Sequence, residues 1–135
     1  MKNKITLITP PDKFENANFN LTLINLNQSQ QESVTNWLEQ VEIEKDMNIY
    51  YFGPNDDAQW LLYAVNQSHL TYCNIDNQCQ TMSVLLSWIV AKNKVYFNSE
   101  NEKTSTILSN ITHNRVPDIS FFLDHCLFDK LKFYE

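Results

Sequence analysis

A chain of 135 residues that is 43% hydrophobic and 13% aromatic has the size and apolar content of one globular domain, 1–135, and excludes a disordered chain. Its formal charge of −6 and its single arginine, Arg115, disfavour nucleic acid as a partner, because phosphate-backbone binding draws on clustered Lys and Arg. No apolar run reaches the roughly 18 residues of a membrane span, so no membrane partner is expected.

The first residues, Met-Lys-Asn-Lys-Ile-Thr-Leu-Ile, carry too short an apolar stretch for a signal peptide and read instead as a strand over 4–8, which implies a cytoplasmic protein. Pro10-Pro11 ends that strand, since proline cannot donate to a ladder. After a polar loop, Phe19-Asn-Leu-Thr-Leu-Ile-Asn-Leu26 alternates as a second strand. The connection is too short for a crossover helix, so the first two strands form either an antiparallel hairpin or a parallel pair joined by an extended return.

Ser29 with Glu32 makes a Ser-x-x-Glu capping box, and Val34, Trp37, Leu38 and Val41 follow at helical spacing. Residues 47–52 are apolar on both faces apart from Asn48, which suits the central strand of a parallel sheet covered by helices. The only glycine, Gly53, stands at the handover from this strand to a helix capped by Asn55 or Asp56, with Ala58, Leu61, Leu62 and Val65 inward. A further strand is expected over 69–75, a helix after Asn77 and Gln80, and a short strand at Val95-Tyr96-Phe97. A helix after Ser99 and Glu102 follows, and a last helix starts near Pro117 with Ile119, Phe122, Leu123 and Cys126 inward. This alternation predicts a single α/β domain of Rossmann-like or flavodoxin-like type. Its sheet of about five strands is mainly parallel, with helices on both faces and the first strand either parallel or antiparallel.

One glycine cannot supply G-x-G-x-x-G, G-x-x-x-x-G-K-[ST] or the G-x-S-x-G elbow, so the common nucleotide-dependent and serine-hydrolase chemistries are disfavoured. Ligands of parallel sheets bind beyond the carboxyl ends of the strands, which directs attention to Asn55, Asp56, Asp57 and Asp76. The three carboxylates could gather a hard cation such as Mg²⁺, but aspartates at these positions are also what helix caps and helix dipoles require. Cys73, Cys79 and Cys126 are odd in number and lack a Cys-x-x-Cys pair, so neither a disulfide framework nor a zinc site is expected. No catalytic residue, metal or cofactor is assigned. For protein interfaces the candidates are the acidic stretch Glu39, Glu42, Glu44 and Asp46, whose simpler reading is a solvated helix end, and Tyr63, an amphipathic ring on a less buried face.

The strings Ile5-Thr-Leu-Ile-Thr-Pro-Pro-Asp12, Phe14-Glu-Asn, Asn48-Ile-Tyr-Tyr51 and Trp60-Leu-Leu-Tyr-Ala64 make the chain resemble small uncharacterised proteins of T4-like phages that infect marine bacteria. These strings are not catalytic motifs, so the resemblance brings no activity and no site residues. It implies a viral origin and a role in the virion, in its assembly, or on a host component. The function expected is therefore protein–protein interaction without catalysis, with a ligand-binding or metal-dependent enzyme at the sheet edge as the alternative.

Overall fold

The structure, a computed structural model, describes residues 5–9, 12–14, 19–41, 45–53, 57–74, 95–98 and 116–133. Five strands form one sheet: β1 (Ile5–Leu7), β2 (Phe19–Ile24), β3 (Met47–Phe52), β4 (Leu70–Asn74) and β5 (Val95–Asn98). Helix α1 (Gln28–Gln40) joins β2 to β3, and α2 (Ala58–Gln67) joins β3 to β4. The last helix, α3, is built of Ile119–Phe121, a π-type stretch Phe122–Leu127, and Phe128–Phe133. The helices expected after Asn77 and after Ser99 lie outside the described residues.

Every strand pair is parallel, and the spatial order is β1-β3-β2-β4-β5. This order decides between the two alternatives left for the first strand and corrects the place of the central one. The first strand is not antiparallel and makes no hairpin with the second: β1 and β2 lie on opposite sides of β3, with Ile5 beside Met47 and Phe19 beside Met47 as well. The central strand is β2, with β3 displaced one place toward the β1 edge. The α/β class, the parallel sheet and its Rossmann-like winding are as expected.

The physical reason for a parallel β1 is the way its return is held. Ile8 and Phe14, in the connection to β2, are buried on the same face as α2. The Phe14 ring packs 6.0 Å from that of Trp60 and 6.2 Å from that of Tyr63, and the Phe14 N–H donates to the Tyr63 hydroxyl at 3.2 Å. One buried phenylalanine, which contributes about 1.5–3 kcal/mol by burial, thus anchors the connection between the two strands on α2.

Strand alternation splits the core in two. On one face Ile24, Tyr50, Phe52, Cys73, Val95 and Phe97 meet Leu61, Ala64 and Val65 of α2. On the other, Leu21, Leu23, Met47, Ile49, Leu70 and Tyr72 meet Val34 of α1 and Ile119, Phe122, Leu123, Leu127 and Leu131 of α3. The first α3 positions read from sequence are inward, except that Cys126 is only half-buried and Leu127 takes the core position. In the π-type stretch the Phe128 N–H bonds to the Leu123 oxygen, five residues back.

The α2 face also holds a polar rung near the amino ends of the strands. The Thr22 and Ser68 hydroxyls lie 2.6 Å apart, and Ser68 donates to the Ala64 oxygen at 2.7 Å. The Asn48 amide donates to the Asn20 side-chain oxygen at 3.0 Å, while the Asn20 amide donates to the Gln67 oxygen at 3.0 Å. These bonds stitch the end of α2 to β2 and satisfy groups whose burial would otherwise cost free energy. Asn20 itself is buried.

Candidate functional site

The chain leaves β2 toward β3 on one side and returns past β2 to reach β4 on the other, so the winding reverses at β2. In open parallel sheets the crevice for ligands lies at such a reversal, beyond the carboxyl ends of the strands. Here that region is built by the β2–α1 turn, the first turn of α1 and the end of β4.

Asn25, directly after β2, has φ 59° and is the one described non-glycine residue in the left-handed region; its N–H bonds to the Phe52 oxygen at 3.0 Å. Asparagine tolerates this conformation better than other side chains, so a sharp exit from β2 is made without glycine. Asn27 then caps α1: its side-chain oxygen accepts from the Gln30 N–H at 2.9 Å, and the Gln30 side-chain oxygen accepts from the Asn27 N–H at 3.0 Å. The capping box is therefore Asn27 with Gln30, two residues before the Ser29 and Glu32 pair expected, both of which are exposed.

Gln30 does more than cap. It is buried, its oxygen also accepts from the Asn74 side-chain amide at 2.9 Å, and its own amide donates to the Tyr72 hydroxyl at 3.4 Å. One glutamine thus ties the start of α1 to the end of β4 across the crevice. The cluster consists of amides and a phenol, with no carboxylate, imidazole or thiol among its members. It can shape the crevice and donate or accept hydrogen bonds there.

Of the residues singled out at the sheet edge, Asn55, Asp56 and Asp76 lie outside the described residues. Asp57 is the N-cap of α2, a role read from sequence for Asn55 or Asp56; its carboxylate accepts from the Gln59 N–H at 3.0 Å. Among the described residues no three His, Cys, Asp or Glu side chains come together to hold a metal ion. His69 turns its ring onto Phe19, 5.0 Å between centroids, and its Nδ1 accepts from the Asn20 N–H at 2.9 Å.

Of the interface candidates, Glu39 and Asp46 are exposed, while Glu42 and Glu44 lie outside the described residues. Tyr63 is half-buried; besides accepting from Phe14 it lies under the Lys13 ammonium, 4.6 Å from its ring centroid. Sequence reading missed Gln30, Tyr72 and Asn74 as a unit. The Asn-x-x-Gln spacing of Asn27 and Gln30 was the available signal, and it was masked by the overlapping Ser-x-x-Glu two residues on. It also missed an exposed apolar pair on β1, where Leu7 is 62% and Ile5 37% accessible.

Among the described residues, three groups have displaced proton affinities, all upward. Burial pushes up the phenols of Tyr51 and Tyr96 and the thiol of Cys126; the neighbouring Cys126 adds to the effect on Tyr96, and Asp129 adds to that on Cys126. A thiol held protonated in this way is a poor nucleophile. Among the described residues no helix is long and apolar enough to cross a membrane.

No protein-family model matches the chain, and no curated protein matches it.

Proposed function

We propose that the protein acts by binding another protein, without catalysis, as a component or assembly factor of a phage particle or as a modulator of a host factor in the infected cell's cytoplasm. The observation that carries this reading is the β1 edge, where Leu7 and Ile5 are among the few large apolar side chains left exposed among the described residues. An exposed apolar pair on an edge strand is a surface that a partner covers. The net charge of −6 supports a protein partner over nucleic acid. The phage setting rests on the resemblance of Ile5 to Asp12, Asn48 to Tyr51 and Trp60 to Ala64 noted above.

The test is affinity purification from phage-infected cells with the natural chain and with Leu7→Lys, followed by mass spectrometry. A stoichiometric protein partner recovered with the natural chain and depleted with Leu7→Lys is the expected result. Recovery of the protein alone, together with a clear thermal shift on adding a nucleotide or metabolite, overturns it. That outcome would support the second reading, a small ligand at the crevice, which is favoured by the positive end of α1 and the buried amides of Gln30 and Asn74 meeting at the winding reversal. A metal-dependent version of that reading expects millimolar Mg²⁺ to raise the melting temperature and Asp57→Asn to abolish the rise.

A further inference from the structure

We draw no further inference here: the strongest candidate, the exposed apolar pair Ile5 and Leu7 on the open edge of β1, belongs to the surface already given to protein binding, and nothing in the structure shows what covers it.

Discussion

Replacing Gln30 with alanine tests the strut between α1 and β4. The change removes the acceptor of the Asn74 amide at 2.9 Å, the acceptor of the Asn27 N–H at 3.0 Å and the donor to Tyr72 at 3.4 Å. Asn74 is only 4% exposed, so its amide cannot recover that bond from bulk water, which costs about 1–3 kcal/mol. Asn27 is exposed and can be rehydrated, leaving the loss of half a capping box, roughly 0.5–1 kcal/mol. The bond to Tyr72 is long and adds little. Removing one buried methylene adds about 0.8 kcal/mol. The sum is about 2–5 kcal/mol, a fall in melting temperature of roughly 10 °C or more for a chain of this size. Urea unfolding followed by tryptophan fluorescence reads it directly. Asn27→Ala should cost about 1 kcal/mol and Ser29→Ala nearly nothing, while Gln30→Glu, which keeps an acceptor oxygen at a helix start, should recover much of the loss. A Gln30→Ala cost below about 0.5 kcal/mol, or a Ser29→Ala cost equal to that of Asn27→Ala, refutes the strut.

The upward displacements at Tyr51, Tyr96 and Cys126 mean that the fold prefers their neutral forms, so their contribution is complete below the ordinary values of 9.0 for the thiol and 10.0 for the phenols and is lost as pH rises through the higher folded values. The urea midpoint should fall across that alkaline range, less steeply in Cys126→Ala; a flat midpoint contradicts the assignment. Phe14→Ala should destabilise by about 3–5 kcal/mol, as large buried aromatic truncations do, and a cost under about 1 kcal/mol would mean the β1–β2 return is not anchored on α2. Asp57→Ala should lower stability by about 0.5–2 kcal/mol while Asp57→Asn, which also caps, changes it little; equal losses would show that the carboxylate charge has another task.

The periodic stretches carried the architecture in plain sight. Val34, Trp37 and Leu38 for α1, Leu61 and Val65 for α2, and the two-faced apolar run of β3 each follow from burial alone, and burial is encoded residue by residue. Strand order is not encoded locally: β1 sits beyond β3 because Phe14 finds Tyr63 and Trp60, a contact 49 residues away along the chain for the Phe14–Tyr63 hydrogen bond. Gly53 drew attention as the chain's only glycine, yet no glycine among the described residues has a positive φ, and the left-handed position belongs to Asn25. The capping box was displaced for a similar reason. Asn-Gln-Ser-Gln-Gln-Glu contains two overlapping boxes, and the choice of Asn27 follows from what Gln30 meets on β4. Local sequence has no access to that contact.

The position of β1 also bears on the order in which the sheet is assembled and opened. It comes first in the chain but has no place to pair until β2, α1 and β3 have been laid down, so its loop closure is added to a structure whose neighbours already hold one another. Among the described residues it has a neighbouring strand on one side only, and β2, β3, β4 and α2 keep their mutual contacts when it detaches. Strand β1 is then the natural unit of local opening, and the Ile8 amide should exchange with solvent deuterium well ahead of the amides of β2 while the rest of the sheet stays closed.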